Sequence, residues 1–250
     1  MLTEERLQRI VAITDREGSV SVQELAKELD TSESTIRRDL IILDNDRRIS
    51  KVRGGAVSNN MQYRTTDENI SFRKEWNIDA KRAIGRYAAS LISDNDFIYI
   101  DAGTTTELLI DYIEQRRNVT FVTNGISHAK KLTQAGFRVH ILGGEFKLET
   151  EAIVGEEAML LLDKYNFTKG FFGANGVSID NGITTPDYRE AVLKRKALSK
   201  SKEKYILCDS SKFSKVSSVT FADIKKARII TEKIDKDKYG KFSNIITPEY

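Results

Sequence analysis

The sequence predicts an α/β protein in which a small helical domain precedes a larger domain built on a mainly parallel sheet. At 250 residues, the chain is long enough for one domain of about 55 residues and one of about 180. The first 45 residues contain three short segments with apolar positions at helical spacing. Beyond residue 96, short apolar runs alternate with helical stretches, which is typical of parallel strands with helices on both faces of the sheet.

The first two helices are indicated by their starting residues. Thr3 and Ser21 are the expected N-caps, and Glu24 follows Ser21 at the spacing of a capping box. Apolar residues then recur at helical spacing after each cap, so both helices can share one small core.

The third helix follows a short polar turn, DTSE, as in a helix-turn-helix. At about 100° per residue, Ile36, Leu40 and Leu43 form a narrow apolar stripe that faces the core. Ser34 and Arg38 lie nearly opposite the stripe, and this face of guanidinium and hydroxyl groups suits a nucleic-acid groove. Arginine pairs well with guanine, so these two residues are the candidates for base contacts. The alternative is a solvated surface helix, which is the commoner role of a charged face.

A β-wing is predicted in DNDRRISKVRGGAV, where Gly54 and Gly55 permit a sharp turn. Residues 37–53 carry six Lys or Arg residues, among them Arg47 and Arg48, against three Asp. Since the preceding residues are acidic on balance, the basic charge is local, and we expect few, salt-sensitive phosphate contacts. The residues predicted to bind double-stranded operator DNA are Ser32, Ser34, Thr35, Arg37, Arg38, Lys51 and Arg53.

Residues 58–70 are predicted to be a linker, because SNNMQYRTTDEN is polar and lacks periodicity. This places a DNA-binding domain at 1–57 and a second domain at 71–250. The second domain begins with a predicted helix from Ser71 to Leu91, in which apolar residues recur at helical spacing.

Six strands are predicted in the second domain, at FIYI, VTFV, RVHIL, KGFFG, KYILC and ARIIT. In sheets of this kind, ligands bind beyond the carboxyl ends of the strands. The first strand leads directly into the loop Asp101-Ala-Gly103-Thr104-Thr105-Thr106 and then into a helix. Backbone amides of a first helical turn, together with threonine hydroxyls, can hold a phosphate, although threonines can also merely cap a helix. The loop lacks the glycine spacing of nucleoside triphosphate and dinucleotide sites.

Polar groups also follow the later strands, where they could converge on the same ligand. Glu190 and Lys194 are spaced i to i+4 on a predicted helix, and form either a surface pair or one wall of the pocket. With the loop at 101–106, the remaining predicted effector-binding residues are Thr123, Asn124, Gly144, Asn175, Lys194 and Lys212.

The composition excludes several classes of protein. A single cysteine, Cys208, cannot form an internal disulfide, and no apolar run resembles a signal peptide or a membrane span, so we expect a cytoplasmic protein without membrane contact. His128 and His140 are isolated, and no metal site or cofactor is predicted.

The motifs resemble those of the DeoR family of bacterial sugar-metabolism repressors. SESTIRRDL followed by RGGAV matches the family's winged helix-turn-helix, and DAGTTT, VTNG, LGG, GANGV, EAVLKRKA and DSSKF match its effector domain in order. The resemblance implies a second domain similar in fold to ribose-5-phosphate isomerase, and a sugar-phosphate effector that relieves repression. The run through TTPDYREA most resembles the fructose-operon repressors, which makes fructose 1-phosphate the leading candidate effector.

Two other functions stay open. Isomerisation of a sugar phosphate needs a general base, but Asn175 and Gly176 stand where the related isomerases resemble GADE, so we predict no enzymatic activity. Alternatively, the second domain could serve only for assembly. A single small module binds DNA weakly, so at least a homodimer is expected.

Overall fold

The computed structural model describes residues 2–46, 48–58, 63–64 and 70–248. Arg47 and most of the predicted linker lie outside the described residues. The chain divides into two compact units, which we call the N-terminal unit and the C-terminal unit. The N-terminal unit comprises Met1–Arg64 and Ser71–Trp76, and the C-terminal unit comprises Thr65–Ile70 and Asn77–Tyr250.

In the N-terminal unit, helices α1 to α3 pack with a small antiparallel sheet that has the strand order β1-β3-β2. The apolar stripe predicted on the third helix is fully buried. The elements from the start of the chain to the unit boundary are α1 (Thr3–Glu17), β1 (Ser19–Ser21), α2 (Val22–Glu28), α3 (Glu33–Asn45), β2 (Ile49–Val52), β3 (Gly55–Ser58), β4 (Tyr63–Arg64) and α4 (Ile70–Glu75).

The helix caps of this unit agree in part with those predicted from the sequence. The capping box is confirmed, since the amide of Glu24 donates to Ser21 Oγ at 3.1 Å and the amide of Ser21 donates to Glu24 Oε2 at 2.8 Å. The prediction of Thr3 as a cap is wrong: Leu2 has the extended N-cap backbone, so Thr3 is already the first helical residue. Gly55 is required by packing, because a Cβ there would lie 2.1 Å from the carbonyl oxygen of Val20 in β1.

The C-terminal unit is an α/β domain, as predicted. Its helices are α5 (Ile78–Ser90), α6 (Thr104–Leu109), α7 (Ile126–Gln134), α8 (Glu156–Asp163), α9 (Tyr188–Ser199) and α10 (Lys236–Tyr239), with 3₁₀ turns at Ile110–Tyr112, Ser210–Lys212 and Ile224–Lys226. Its strands are β5 (Phe97–Ile100), β6 (Thr120–Thr123), β7 (Arg138–Ile141), β8 (Glu145–Lys147), β9 (Ala152–Val154), β10 (Phe167–Gly173), β11 (Gly176–Ser178), β12 (Gly182–Thr185), β13 (Ser201–Leu207), β14 (Val216–Ser217), β15 (Val219–Ala222), β16 (Arg228–Ile230) and β17 (Ile245–Ile246).

Seven strands form one parallel sheet in the order β17-β16-β13-β10-β5-β6-β7. All six predicted strands are present, and the two-residue strand β17 extends the sheet. Successive residues of β5 point to opposite faces, so that Tyr99 joins one apolar cluster while Ile98 and Ile100 join the other. The strand order reverses between β5 and β10, and a crevice opens at such a switch point beyond the carboxyl ends of the strands.

Two smaller sheets were not predicted. The strands β11, β12 and β15 form an antiparallel sheet, and β8 pairs with β9 in a hairpin. These strands are only three or four residues long, so they carry too little alternation to be recognised in the sequence.

The prediction of one helix from Ser71 to Leu91 is wrong. The segment is broken into α4 and α5 by a turn at Trp76 and Asn77, and Asn77 has a left-handed backbone with φ of 51° and ψ of 38°. Periodicity could not reveal the break, because the contacts of Asn77 are with residues far along the chain.

Candidate DNA-binding face and candidate anion site

The exposed start of α3 carries a cluster of hydroxyl groups. Ser32 is the N-cap and accepts a hydrogen bond from the amide of Thr35 at 3.3 Å. The Ser32 hydroxyl also lies 2.9 Å from the hydroxyls of both Ser34 and Thr35. These three predicted DNA-binding residues therefore lie together at one end of the helix.

The predicted cations of this face are all exposed. Arg37 donates to Glu33 at 2.8 Å in a pair that is open to solvent, and such pairs are weak enough to exchange for a phosphate. Among the described residues, the side chains of Arg38, Lys51 and Arg53 have no hydrogen-bond or ion-pair partner. Their charges are thus available to an anion from outside the unit.

Two contacts that the sequence analysis missed hold this face in place. The amide of Lys51 donates to Asp44 Oδ1 at 2.8 Å, which ties the wing to the last turns of α3. Arg6 on α1 forms a two-pronged ion pair with Asp39, at 2.6 and 3.1 Å, and Asp39 is only 2% exposed. Asp39 could have been found, because at about 300° from Ile36 it falls beside the apolar stripe, where a carboxylate needs a partner.

In the C-terminal unit, the predicted effector-binding groups follow five strands of the parallel sheet and therefore share its carboxyl edge. Gly144 follows the edge strand β7 and is fixed by packing: its φ is 139°, and a Cβ would lie 2.5 Å from the carbonyl oxygen of Val154. The close approach of β9 therefore explains why a glycine stands at position 144.

Asp101 and Lys194 join three elements at the switch point. The Lys194 ammonium donates to Asp101 Oδ2, and the amide of Gly173 donates to the same oxygen at 3.0 Å. Both side chains are buried, and burial raises the pKa of Asp101 while Lys194 offsets part of the rise. A carboxylate repels phosphate, so Asp101 can serve an anion site only by positioning Lys194.

The loop from Gly103 to Thr106 divides its threonines between two tasks. Among the described residues, the hydroxyls of Thr104 and Thr105 have no hydrogen-bond partner. The Thr106 hydroxyl instead donates to the carbonyls of Asp101 and Gly103, at 2.7 and 2.8 Å. Gly103 has an extended backbone that any residue can adopt, with φ of 168°. Thr106 thus shapes the loop and leaves the other two hydroxyls for a ligand.

His128 was missed as a site residue. Its Nε2 lies 3.1 Å from the Gly103 carbonyl and 3.1 Å from Thr106 Oγ1, and its side chain is 1% exposed. The isolated histidine of the sequence is therefore the support of the loop from α7. No sequence signal marks this role, because it depends on two segments that are 25 residues apart.

The predicted residues after β6 also support loops. Asn124 Oδ1 accepts from the amide of Ala102 at 2.9 Å and from the hydroxyl of Tyr99 at 3.1 Å, and its Nδ2 donates to a carbonyl of β9 at 3.2 Å. Thr123 Oγ1 accepts from the amide of Gly125 at 3.0 Å. The side-chain amide of Asn124 therefore has little hydrogen-bonding capacity left for a ligand.

Asn175 and Lys212 complete the predicted set. Asn175 Oδ1 accepts from Thr185 at 3.1 Å, while its Nδ2 has no partner among the described residues. Lys212 is 7% exposed and ends the 3₁₀ turn that begins after Asp209. Burial alone would raise the pKa of Asp209, but Lys212, the Ser211 hydroxyl and Lys81 outweigh it and lower the pKa. Lys81, a buried residue of α5, was not predicted.

Glu190 and Lys194 are not a surface pair. Glu190 is 7% exposed, and its Oε1 accepts from Lys147 at 3.1 Å and from Thr150 at 2.7 Å. The β8–β9 hairpin is thereby attached to the start of α9. The surface alternative is wrong because both side chains are buried and each has a partner elsewhere in the unit.

Within the described ranges, no three His, Cys, Asp or Glu side chains are grouped so that they could hold a metal ion. No helix of the described part of the chain has the length and apolar character needed to span a bilayer.

Both regions match known domain families. Residues 6–62 match the DeoR-like helix-turn-helix domain, and residues 76–233 match the DeoR C terminal sensor domain. The HTH-type transcriptional regulator FruR of Bacillus subtilis, itself uncharacterised, is 39% identical over 96% of each chain. The lactose phosphotransferase system repressor of Streptococcus mutans is 35% identical over 97% of each chain, and that of Staphylococcus aureus is 36% identical over 94%.

Solved structures overlap part of the chain. Ribose 5-phosphate isomerase A from Neisseria gonorrhoeae is 16% identical, covers 56% of this chain and 54% of its own, and has a TM-score of 0.41. The enzyme from Methanocaldococcus jannaschii is 18% identical, covers 55% of each chain, and has a TM-score of 0.42.

Proposed function

The chain belongs to the DeoR family of transcriptional regulators, and we propose that it represses a carbohydrate-utilisation operon until a phosphorylated sugar releases it from operator DNA. The N-terminal unit binds DNA through α3 and the wing. The C-terminal unit senses the sugar phosphate. At least two copies bind together, because a single winged module buries too little surface for a specific complex.

One observation carries the effector proposal: two threonine hydroxyls without partners among the described residues lie in the loop that directly follows Asp101, the partner of Lys194. Thr104 and Thr105 are 5% and 8% exposed, yet their hydroxyl oxygens stay open to solvent, because Ser217 Oγ is the only fully buried side-chain polar atom without a partner among the described residues. A phosphate there would accept from both hydroxyls and from the free amides of the first turn of α6. Lys194 would supply the positive charge that attracts the phosphate.

The sugar would lie toward β10 and β13. Asn175 Nδ2 is a donor without a partner among the described residues, which suits a sugar hydroxyl. Lys212 supplies a second cation for a dianionic phosphate. Fructose 1-phosphate is our leading candidate, and the resemblance of TTPDYREA to the fructose-operon repressors is its support.

The sugar phosphate can release DNA only by binding one conformation better than the other. A shift from about 1:99 to about 99:1 needs a preference of roughly 10⁴-fold, or about 5.5 kcal/mol. Several charged hydrogen bonds from a phosphate are of the right order to supply it.

A thermal-shift panel of the full-length protein tests the effector. The probes are fructose 1-phosphate, fructose 6-phosphate, glucose 6-phosphate, ribose 5-phosphate, and inorganic phosphate as control. Mass action predicts about 2.7 kcal/mol of stabilisation at a hundredfold excess over the dissociation constant for the cognate sugar. The double variant Thr104→Val/Thr105→Val should lose the shift, whereas Thr133→Val, at an exposed position of α7, should keep it. Full stabilisation of the double variant would refute the phosphate loop.

We propose no catalytic activity. Asp101, Glu190 and Asp209 are the carboxylates that the sequence leaves as possible acids or bases, and each is engaged: Asp101 by Lys194, Glu190 by Lys147 and Thr150, and Asp209 by Asn77 and the amide of Ser211. Incubation of the pure protein with the same panel, followed by NMR, should show no turnover; a product peak that scales with protein concentration would contradict this.

A further inference from the structure

The break between α4 and α5 lies where the chain passes from one unit to the other. Ser71–Trp76 belongs to the N-terminal unit, and the C-terminal unit resumes at Asn77. Asn77 is the left-handed residue of the break. This conformation is strained for a side chain with a Cβ, although asparagine tolerates it better than most.

The side chain of Asn77 is held by the turn that carries Lys212. Asn77 Nδ2 donates to Asp209 Oδ1 at 2.8 Å and to Ser211 Oγ at 3.3 Å. Asp209 is buried and keeps its charge, because its positive neighbours and hydrogen bonds lower its pKa. A bond to a charged acceptor is stronger than a neutral one, so it can hold Asn77 in the strained conformation.

The sequence across the break is also compatible with a single helix. Trp76, Ala80 and Ile84 continue the apolar positions at helical spacing, which is why a continuous helix is predicted there. No proline or glycine interrupts residues 70–84. Two conformations of one segment that differ at the two-residue turn of Trp76 and Asn77 make a bistable element.

We propose that residues 70–90 switch between the broken helix and a continuous one, and that a phosphate ligand drives the switch by drawing the Asp209–Lys212 turn away from Asn77. The proposal rests on the proposed function, because Lys212 is one of the cations assigned to the phosphate. Lys212 follows Ser211 directly, so a ligand that moves its ammonium group moves the acceptors of Asn77. The broken form is then the form without effector, and hence the form that binds DNA.

Two substitutions at one position separate the backbone from the side chain. Asn77→Ala and Asn77→Gly both remove the bonds to Asp209 and Ser211. Alanine favours the continuous helix, whereas glycine tolerates the left-handed turn and disfavours a helix interior. We therefore expect different effects on the switch from equal losses of hydrogen bonding: Asn77→Ala should shift it toward the continuous helix, and Asn77→Gly should leave it in the broken form.

Amide hydrogen exchange of the full-length variants reads the helix directly. The amides of residues 78–80 precede the first intrahelical bond of α5, which runs from Lys81 to Asn77, and they gain acceptors only in a continuous helix. Exchange there should be at least about tenfold slower in Asn77→Ala than in Asn77→Gly. Without effector, Asn77→Ala should bind DNA about tenfold more weakly than wild type, and Asn77→Gly should match wild type. The DNA probe is a duplex selected from a random pool by the wild-type protein.

Asn95 provides a matched control. It is also a left-handed asparagine, with φ of 64°, and it lies before β5 at the opposite edge of the sheet. Asn95→Ala should leave both measurements at wild-type values. Asn77→Asp is a second variant: it keeps the size of the side chain but places a carboxylate against Asp209, so it should weaken DNA binding as Asn77→Ala does.

The outcomes separate this inference from the proposed function. Equal exchange and equal DNA affinity in Asn77→Ala and Asn77→Gly overturn the switch, even if the sugar phosphates release DNA from wild type. If the variants differ as expected while no probe of the panel changes exchange in wild type, the two-state helix is supported and phosphate sensing fails. Slower exchange in wild type on adding one sugar phosphate supports both.

Discussion

The predicted DNA-binding face and the predicted effector site place their cationic side chains in opposite environments. In the N-terminal unit, the side chain of Arg37 is 60% exposed, and its partner Glu33 is 45% exposed. In the C-terminal unit, the side chain of Lys194 is 5% exposed, and its partner Asp101 is 2% exposed. The same chemistry is presented to solvent in one unit and enclosed by protein in the other.

This difference determines what each partner must do to bind. DNA can meet the exposed cations without breaking internal structure, so the N-terminal unit can bind with little rearrangement. At the proposed site, a phosphate would have to compete with Asp101 for Lys194, and it would act on Lys212, whose charge lowers the pKa of Asp209. Such a ligand would disturb internal electrostatic contacts, which is what a sensor needs if its ligand is to change a conformation.

The largest expected effect is on the buried pair. Lys194→Ala leaves the Asp101 carboxylate buried without its cation, which should destabilise the protein by about 3–5 kcal/mol in denaturant unfolding. Lys196→Ala is the control, because Lys196 lies on the same helix but pairs with Asp163 at the surface, and it should change stability little. Equal losses in the two variants would erase the distinction between buried and exposed cations.

The penalty in Lys194→Ala should depend on pH. Burial already raises the pKa of Asp101, and removing Lys194 should raise it further, so the folded state binds a proton that the unfolded state has released. Stability then falls as pH rises. The loss relative to wild type should therefore be smaller near about pH 5 than near about pH 8, and a loss that is flat with pH would assign the effect to packing instead.

A second prediction tests the partly buried ion pair between Arg6 and Asp39 in the N-terminal unit. Arg6→Ala leaves Asp39 buried without its partner and should cost about 2–3 kcal/mol of unfolding free energy. Asp39→Ala should cost less, because the Arg6 side chain is 14% exposed and can reach water. Denaturant unfolding of both variants measures the asymmetry. If Asp39→Ala is the more damaging change, Asp39 acts through its packing in the N-terminal unit rather than through its charge.

The sequence predicts the N-terminal unit better than the C-terminal site, for a physical reason. The buried side of α3 is identified by the helical spacing of Ile36, Leu40 and Leu43. The start of α2 is identified by the capping box, in which Ser21 and Glu24 are only three residues apart. Such features depend on neighbours along the chain. The outward position of Arg38 then follows from helix geometry alone.

The support of the C-terminal site depends on distant contacts instead. His128 holds a loop 25 residues earlier, and the bond from Asn77 to Asp209 spans 132 residues. The sequence could place Thr104 near the carboxyl edge of the sheet through the strand that precedes it, but it left Lys194 either in a surface pair or in a wall of the pocket. It could not show that the side chains of Thr106 and Asn124 form hydrogen bonds within the protein, because those bonds depend on how distant segments pack.

The third prediction concerns the exposed arginine without a partner. Arg38→Ala should cost about 1–3 kcal/mol of binding free energy to the selected operator duplex, through loss of a base contact. Unfolding free energy should change by no more than about 0.5 kcal/mol. Arg9→Ala is the matched control: Arg9 is an exposed arginine like Arg38, its one ion pair among the described residues is with Glu5 of its own helix, and its loss should alter neither quantity. Unchanged DNA affinity in Arg38→Ala would contradict the assignment of α3 as the recognition helix.

The smallest expected effect distinguishes a phosphate contact from a base contact. Lys51 is exposed on the wing, and its amide, not its ammonium group, is bound to Asp44. Lys51→Gln should therefore preserve the wing and remove one counterion-releasing charge, which lowers the slope of log affinity against log salt by about 1. The loss should be nearly the same for operator and for random DNA, because a phosphate contact carries no sequence information. Titrations at several salt concentrations with both duplexes measure it. A loss confined to the operator would mean that the wing reads bases, and the exposed cations of the N-terminal unit would then contribute to specificity as well as to attraction.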